Sequence, residues 1–338
     1  MSDPADSRGR PPTLQDVATR AGVSRALVSI VVRGVPGASE QTRARVLEVA
    51  AELGYRPDHR ARLLAGRRSR LLGLTLSLTN PFHADLVEAA YPAAEALGYQ
   101  VVLSAVTGSR TSRQAVDTLL DYRCDAALLL GPLLPPAGLS ALAERLPVVV
   151  VGQPASAAAV DVVRAADAEG IRAAIGHLVE LGHHRIDYVD GGRAPAAAER
   201  RAGYRAAMRE HGLTADIRVV PGGQYEQDGA AAARQLSEQG LPEAVLTYND
   251  RCAVGLLDVF ARLAVAVPEQ LSVVGYDDSQ VARLPYLRIT TVSQDATQLA
   301  QLAVGRAVDR IERPAGEYRR ELVVRPQLVV RDTTARRA

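Results

Sequence analysis

Lysine and tryptophan are absent from this 338-residue sequence, and cysteine occurs only twice. Without lysine, the chain has no P-loop lysine, no Schiff-base lysine and no Ser-x-x-Lys nucleophile. The motifs Gly-x-Ser-x-Gly and His-Glu-x-x-His are also missing, as is a Gly-x-Gly-x-x-Gly after a strand. These absences argue against an enzyme.

The two cysteines, Cys124 and Cys252, are far apart and have no histidine or cysteine at ligand spacing. This indicates neither a disulfide framework nor a zinc site, and we expect both thiols to be buried as small apolar groups. No apolar run approaches the roughly 18 residues that cross a bilayer, and no signal-peptide pattern opens the chain. We therefore expect a soluble cytoplasmic protein with no metal and no cofactor.

Charge is distributed unevenly, although the net charge is only +2. Residues 1–70 carry 13 arginines against 7 acidic residues, whereas the remainder carries 27 arginines against 31 acidic residues. A basic N-terminal part on a mildly acidic body suits one domain that contacts phosphate groups and one that does not. A solvated charged surface would give the same counts, so charge alone leaves nucleic-acid binding open.

The stretch from Thr13 to Gly34 has the pattern of two short helices joined by a sharp turn. Gly22 can take a positive φ that ends the first helix, and Ser24 can cap the second. At about 3.6 residues per turn, the packing side of the second helix consists of Leu27, Val28, Val31 and Val32. The opposite arc consists of Arg25, Ala26, Ser29 and Ile30. The pattern predicts a helix-turn-helix whose free arc can enter a DNA major groove.

Residues on either side of this stretch complete a small N-terminal unit. Residues 1–12 are polar and rich in proline and glycine, which predicts a disordered arm. A third helix is expected from about Ser39 to Leu53, with Ser39 as its N-cap and Gly54 ending it. Its inward positions are expected to be Val46, Leu47, Val49, Ala50 and Leu53.

Beyond Arg70, short continuous apolar runs alternate with amphipathic helices, beginning with LLGLTLSL and YQVVLSAV. Such runs indicate buried parallel strands in a doubly wound sheet. The same alternation of apolar runs and helices begins again at HRIDYVDG, which predicts a second sheet. Two α/β lobes in tandem enclose a cleft, and ligands of such sheets bind at the carboxyl ends of the strands.

Several polar residues stand where these strands end. Asn80 and Phe82 follow the first strand, Asn249 and Asp250 follow AVLTY, and Asp277 is followed by Asp278 after LSVVGY. Carboxylates and amides there suit vicinal hydroxyl groups, and Phe82 can stack on an apolar sugar face. Helix caps, core packing and surface ion pairs are the competing interpretations. The six histidines show no metal spacing and are expected to be solvated or in turns.

Several separate motifs resemble the LacI/GalR (lactose-repressor) family of bacterial transcription regulators. They run in the family's order and are Thr13-Leu-Gln-Asp-Val-Ala, Ala21-Gly-Val-Ser, Ser39-Glu-Gln-Thr-Arg, Ala51-Glu-Leu-Gly-Tyr-Arg-Pro and Leu63-Leu-Ala-Gly. The resemblance continues along nearly the whole chain. It implies a helix-turn-helix headpiece joined to a two-lobed, periplasmic-binding-protein-like effector domain with two doubly wound parallel sheets.

By this resemblance, a homodimer binds double-stranded operator DNA and acts as a repressor. The segment Asp58–Gly66 is the family's hinge helix, which is marginal alone and pushes an apolar wedge, here Leu64, into the minor groove. The implied DNA-contacting residues are Thr13, Leu14, Ser24, Arg25, Ala26, Ser29, Ile30, Arg33, Asp58, Ala61 and Leu64.

The resemblance also implies a small-molecule effector, a sugar or related metabolite, in the cleft. Its contacts are Asn80, Phe82, Arg200, Tyr225, Asn249, Asp277 and Gln294, with Arg200 in the family's Arg-x-x-Gly-Tyr pattern. The expected divisions are arm 1–12, headpiece 13–57, hinge 58–69, first lobe 70–162 and 294–320, and second lobe 163–293 and 321–338. The chain is expected to cross between the lobes near Val163, Ser293 and Arg320.

Three departures from the family change these expectations. Many members carry arginine where this chain has Ile30, and isoleucine can make only apolar base contacts. Asp58 replaces the usual hinge asparagine and places negative charge near phosphate. Tryptophan, the residue best suited to stack on sugars, is absent. We therefore expect an unusual operator, with Arg25 as the remaining base-reading cation, and a polar or small effector.

Two other classes of function remain open at this point. A solute-binding or cytoplasmic sensor protein could share the two-lobed fold, but it gives no reason for Thr13–Gly34. An enzyme could use the α/β cleft, but it lacks a recognisable nucleophile or cofactor motif.

Overall fold

A computed structural model describes residues 12–32, 36–55, 68–157, 159–314 and 320–337. The chain divides into two compact units, Met1–Ser69 and Arg70–Ala338. The predicted arm up to residue 11 and the expected DNA contact Arg33 lie outside the described residues. The same holds for most of the hinge segment, including Asp58, Ala61 and Leu64.

Three helices form the smaller unit: α1 (Leu14–Ala21), α2 (Arg25–Val32) and α3 (Glu40–Glu52). A capping box starts α1, because Thr13 Oγ1 accepts from the amide of Asp16 and the Asp16 carboxylate accepts from the amide of Thr13. Gly22 ends α1 with φ +67°, and Ser24 Oγ accepts from the amide of Leu27 at 3.2 Å. The local signals therefore form the predicted helix-turn-helix.

The core of this unit consists of Val17, Ala18, Ala21, Val28, Val31, Val46 and Ala50. Val28, Val31, Val46 and Ala50 are among the inward positions predicted for α2 and α3. One expectation for α3 is wrong, because Leu47 is 49% exposed. Val46 and Ala50, four residues apart, form the inward row, and Leu47 is turned about 100° away from Val46. The α3 pattern has too few apolar positions to fix its inward face within one residue.

The larger unit contains two six-stranded sheets. The strands of the first sheet are β1 (Leu71–Ser77), β2 (Gln100–Val106), β3 (Ala126–Leu130), β4 (Val148–Val151), β5 (Asp161–Ala165) and β11 (Glu321–Val324). Their order across the sheet is β11-β5-β4-β3-β1-β2, and neighbouring strands run parallel. With its helices this sheet forms the first lobe; they are α4 (Pro81–Ala96), α5 (Ser112–Asp121), α6 (Pro136–Ala143) and α11 (Ala296–Glu312).

The strands of the second sheet are β6 (Ile186–Val189), β7 (Arg218–Val220), β8 (Ala244–Thr247), β9 (Ser272–Asp277), β10 (Thr290–Ser293) and β12 (Gln327–Val329). Their order across the sheet is β12-β10-β9-β8-β6-β7, and only β12 runs antiparallel to its neighbour in the described chain. This sheet forms the second lobe with α7 (Asp167–Glu180), α8 (Ala197–Glu210), α9 (Glu226–Gln239) and α10 (Asp250–Arg262).

Each sheet is covered on both faces by apolar side chains, as the continuous hydrophobic runs predicted. Leu72, Leu74 and Leu128 pack toward α4 and α11 on one face of the first sheet, and Leu129 and Val150 belong to the cluster on its other face. The second sheet is likewise enclosed between two buried clusters. Cys124 and Cys252 are buried within these cores, as expected.

The lobe changes occur a few residues later than the sequence suggested at two of three crossings. Val163 lies inside β5, which pairs with β4, so the chain leaves the first sheet after Ala165. The strand β11 follows Arg320 and pairs with β5, so the last crossing comes after Val324. The middle crossing follows Ser293, where β10 ends. Short strands at or beside a sheet edge have no hydrophobic signature that separates one lobe from the other.

Candidate functional site

A cavity of about 320 Å³ lies between the two lobes, at the carboxyl ends of the parallel strands. Six of the seven predicted effector contacts line it: Asn80, Phe82, Arg200, Tyr225, Asp277 and Gln294. The first lobe contributes the start of α4, and the second lobe contributes the ends of its strands and the start of α9. The wall therefore contains residues from both lobes and from the crossing at Gln294.

The start of α4 forms one side of the cavity. Asn80 is the N-cap of this helix, and its side-chain oxygen accepts from the amide of Phe82 at 3.1 Å. Phe82 is buried in the core of the first lobe and also lines the cavity. The capping and core-packing interpretations are therefore both correct here, and they place both side chains at the cavity wall.

Asp277 is the central acidic group of the cavity. It ends β9 with φ +114°, and Asp278 follows with φ +51°. Backbone in this region costs a non-glycine residue about 1–3 kcal/mol and is found most often at functional sites. Asp277 Oδ1 accepts from Gln294 Nε2 at 2.7 Å and lies 3.5 Å from a guanidinium nitrogen of Arg200. Burial raises the pKa of Asp277, and the positive charge of Arg200 opposes that rise.

Arg200 is a fully buried cation rather than half of a surface ion pair. Its Nε donates to Asp167 Oδ1 at 2.7 Å, and a terminal nitrogen donates to the carbonyl of Tyr248 at 2.7 Å. Its guanidinium carbon lies 3.7 Å from the ring centre of Tyr276, which holds the plane of the group. Because Asp167 begins α7 just after the first crossing, Arg200 connects the cavity to the segment between the lobes.

Asn249 lies behind the cavity wall. Its side-chain oxygen accepts from the amide of Cys252 at 2.9 Å and caps α10, while its amide group donates to the carbonyl of Gln224 at 3.1 Å. Gln224 and Tyr225 line the cavity. In this structure Asn249 therefore caps α10 and positions the Gln224–Tyr225 segment. The competing interpretation of Asn249 as a helix cap is correct, and the predicted direct contact with the effector is not.

Asp250, which the sequence placed beside Asn249, is buried and bonded on both carboxylate oxygens. One oxygen accepts from the hydroxyl of Thr291 at 2.6 Å, and the other accepts from the amide and the hydroxyl of Ser279 at 2.8 Å each. Burial raises the pKa of Asp250. These bonds fasten α10 to the segments after β9 and within β10.

The free arc of α2 has the exposure that a groove-reading helix requires. Arg25 and Ala26 are exposed, while Ser29 and Ile30 are partly exposed beside them. Val28 and Val31, on the opposite side, are buried in the core of the smaller unit. Thr13 and Leu14 lie at the start of α1, where Thr13 makes the capping box and Leu14 packs against that core.

Comparison with known families agrees with both parts of this geometry. The family model for bacterial regulatory proteins of the lacI family matches residues 13–58, and that of the periplasmic binding protein-like domain matches residues 175–334. The HTH-type transcriptional regulator GalR of Escherichia coli K12 is 33% identical over 313 residues, which are 88% of this chain and 90% of GalR. The chain belongs to the lacI family. It is a DNA-binding transcriptional regulator with a two-lobed effector domain.

Solved structures of lacI-family proteins share this fold. A LacI transcriptional regulator from a Rhodococcus species is 47% identical, with a TM-score of 0.76, and the match covers 79% of this chain and 98% of that one. The lac repressor dimer bound to operator and the anti-inducer ONPF is 28% identical, with a TM-score of 0.83 and coverage of 96% and 100%. A complex of the regulator CelR with cellobiose is 30% identical, with a TM-score of 0.69 and coverage of 95% and 99%.

The structure of this lacI-family regulator adds cavity residues that the sequence reasoning missed. Tyr248 lines the cavity, and its hydroxyl donates to the carbonyl of Pro195 at 2.8 Å. His83 also lines it and is buried, so the expectation of solvated histidines is wrong there. His183 is buried too, bonded to Ser272 and the carbonyl of Ala335. The position of His83, directly after Asn80-Pro81-Phe82 at the end of a strand, was the available signal.

Within the described ranges of the regulator, no group of three or more histidine, cysteine or acidic side chains is arranged to hold a metal ion. Nor does that part of the chain contain a helix with the length and apolar character needed to cross a membrane.

Proposed function

We propose that the cavity of this regulator binds a sugar or a related polyhydroxylated metabolite as its effector. The observation that carries this is Asp277, a buried carboxylate on strained backbone, bonded to Gln294 and close to Arg200. A carboxylate at the end of a sheet accepts hydrogen bonds from hydroxyl groups. The cavity volume is at the small end of the range for ligand pockets, and the related CelR has been solved with cellobiose.

The proposed ligand contacts are Asn80, Phe82, Arg200, Tyr225, Asp277 and Gln294. Phe82 supplies an apolar surface for a sugar face, while Asp277 receives hydroxyl groups. Arg200 holds Asp277 in place, and its positive charge opposes the rise that burial causes in the pKa of Asp277. Asn249 acts at one remove, by positioning the segment that carries Tyr225.

For DNA, we propose that two copies of the regulator bind a pseudo-palindromic operator, each placing α2 in a major groove. Arg25 is exposed at the start of this helix and is the base-reading cation. The other proposed contacts in the headpiece, residues 13–57, are Thr13, Leu14, Ser24, Ala26, Ser29, Ile30 and Arg33. From residues 58–69, Asp58, Ala61 and Leu64 contact the minor groove. The related lac repressor has been solved as a dimer on its operator.

The regulator then acts as a cytoplasmic repressor without catalytic activity. Effector binding between the lobes changes their relative position, and this alters the spacing of the two hinge segments in the dimer. Because a short helix is marginal alone, a small change in spacing shifts its population. A coupling free energy of about 1–3 kcal/mol changes operator affinity about 5- to 150-fold, which is enough for a switch.

Selection of genomic fragments by the full-length protein, followed by fluorescence anisotropy on the enriched duplex, tests this function. We expect tight binding to one pseudo-palindromic sequence and a change in affinity when D-ribose, D-galactose or cellobiose is added. Arg25→Ala should weaken binding to the selected operator about tenfold or more, whereas Arg262→Ala, on the exposed side of α10, should leave it unchanged. Equal binding to selected and bulk DNA, with or without the sugars, would refute the proposal.

A further inference from the structure

His83 enters the cavity wall with one ring nitrogen already occupied. It is the third residue of α4 and is buried. The backbone amide of Ser77, at the end of β1, donates to His83 Nδ1 at 3.0 Å. A ring nitrogen that accepts a hydrogen bond carries no proton, so the neutral imidazole must carry its proton on Nε2. The strand end therefore selects one tautomer of this side chain.

The ring is also held neutral. Desolvation by burial lowers the pKa of His83 to about 4, so the imidazole carries no charge under physiological conditions. Its Nε2–H is consequently a fixed, uncharged donor. By contrast, the hydroxyls of Thr75, Ser77 and Ser112 in the same wall can rotate and either donate or accept.

The free nitrogen lies on the cavity side of the ring. A Cβ added to Gly131, itself part of the cavity wall, would come 3.6 Å from His83 Nε2. Among the described residues, no protein group is placed to accept a hydrogen bond from this nitrogen. A donor held in a buried wall without an acceptor is a site that a ligand oxygen can satisfy.

The second lobe supplies a matching acceptor. Gln294 is only 2% exposed, and its Nε2 is used in the bond to Asp277. Gln294 Oε1 is itself buried, so the acceptor at this wall is the carboxylate of Asp277, which lines the cavity. The cavity thus has a fixed donor from the first lobe and an acceptor from the second lobe.

We propose that His83 is a specificity-determining residue of the effector cavity, donating from Nε2–H to a ligand oxygen while Asp277 accepts from a ligand hydroxyl. The inference rests on the proposed function, because it refines the ligand chemistry of the same cavity. The fixed donor of His83 favours neutral sugars or polyols that place an ether or hydroxyl oxygen against the first lobe. Ligands that place an ammonium or amide N–H group there are rejected, since two donors would face each other.

Two amide substitutions separate the two ring nitrogens. In His83→Gln the amide nitrogen can occupy the Nε2 position and donate to the ligand, whereas in His83→Asn the side chain reaches only the Nδ1 position and can accept from Ser77. Calorimetric titration of the full-length protein uses the tightest binder among D-ribose, D-galactose and cellobiose as the probe. We expect His83→Asn to bind about tenfold more weakly than wild type and His83→Gln to bind more tightly than His83→Asn. His184→Asn, at an exposed histidine outside the cavity, is the matched control.

A ligand-free readout keeps this inference distinct from the choice of effector. In ¹⁵N spectra of the histidine side chains, the His83 signal, assigned by its loss in His83→Asn, should show a protonated Nε2 and an unprotonated Nδ1. A protonated Nδ1, or wild-type affinity in His83→Asn, would overturn the role of His83. If no sugar in the set binds wild type, the effector class is refuted, and the ring spectra alone then decide whether His83 presents a fixed donor.

Discussion

At the scale of single residues, polar groups divide into those whose bonds are complete and those left open to the cavity. Asp250 uses both carboxylate oxygens within the protein, and Asn249 uses both ends of its amide. His83, in the cavity wall, bonds only through Nδ1 among the described residues. A buried polar atom without a partner costs about 1–3 kcal/mol, so a ligand oxygen that accepts from this ring gains a favourable contact.

Effector affinity should therefore fall as the pH is lowered through the pKa of Asp277. The ionised carboxylate is the form that accepts ligand hydroxyls, and it is lost on protonation. Because burial raises the pKa of Asp277, the loss should begin closer to neutral pH than for an exposed aspartate. Asp277→Asn should weaken binding at neutral pH by about ten- to a hundredfold and flatten the pH profile, as measured by calorimetric titration with the same sugar probe.

The adjacent carboxylate provides the control for this titration. Asp278 bonds to Arg331 at 2.6 Å and does not line the cavity. Asp278→Asn should keep the pH profile of wild type. A steep acid loss that persists in Asp277→Asn would assign the titration to another group.

At the scale of elements, the packing of α9 against α10 depends on two glycines. A Cβ at Gly229 would lie 1.9 Å from the carbonyl oxygen of Cys252, and one at Gly255 would lie 1.8 Å from that of Glu226. Each helix thus places a glycine against the backbone of the other. Because Glu226 begins α9 next to Tyr225 and Cys252 lies in the first turn of α10 beside Asn249, this close contact also places residues of the cavity wall.

Gly229→Ala and Gly255→Ala should each destabilise the protein by about 3 kcal/mol or more, because a backbone carbonyl cannot move aside as a side chain can. Gly305→Ala on α11 is the matched control, since a Cβ there meets nothing within 4 Å. That change should stabilise the helix by about 0.5–1 kcal/mol. Urea denaturation followed by circular dichroism measures all three, and equal effects at the three positions would contradict the packing argument.

The same elements show how far the sequence could be used to predict the structure. Caps and apolar runs are local, so Gly22, Ser24, Ser39 and the central strands were predicted correctly. All of β11 and residues 163–165 of β5 were assigned to the second lobe instead of the first, because the pairing of strands at or beside a sheet edge is decided by tertiary contacts. His83 was missed for a related reason: its burial and its bond to the amide of Ser77 depend on how the start of α4 packs against the end of β1, and its position after Asn80-Pro81-Phe82 was the only signal along the chain.

At the scale of the whole effector domain, the two lobes contact each other directly at the rim of the cleft. Arg283 in the second lobe pairs with Asp85 on α4 of the first lobe at 2.7 Å. Arg251 on α10 donates to the carbonyl of Thr79, which precedes α4, and also pairs with Glu226. Both arginines belong to the second lobe. Their partners in the first lobe, Asp85 and Thr79, lie in the first turns of α4 and just before it. These contacts favour the arrangement of the lobes described here.

The pair of Asp85 and Arg283 should therefore contribute to effector affinity without touching the effector. Asp85→Asn and Arg283→Gln should each weaken sugar binding about two- to fivefold, and the double variant should lose little more than either single one. Arg283 is about half exposed and solvent screens the pair, so a coupling of about 0.5–1 kcal/mol is expected, decreasing with added salt. The measurement is a double-mutant cycle by calorimetric titration. The exposed pair of Arg262 and Asp258, within the second lobe alone, is the control that should show no coupling to binding. Additive losses from Asp85 and Arg283, or none at all, would show that this contact does not help to hold the two lobes together.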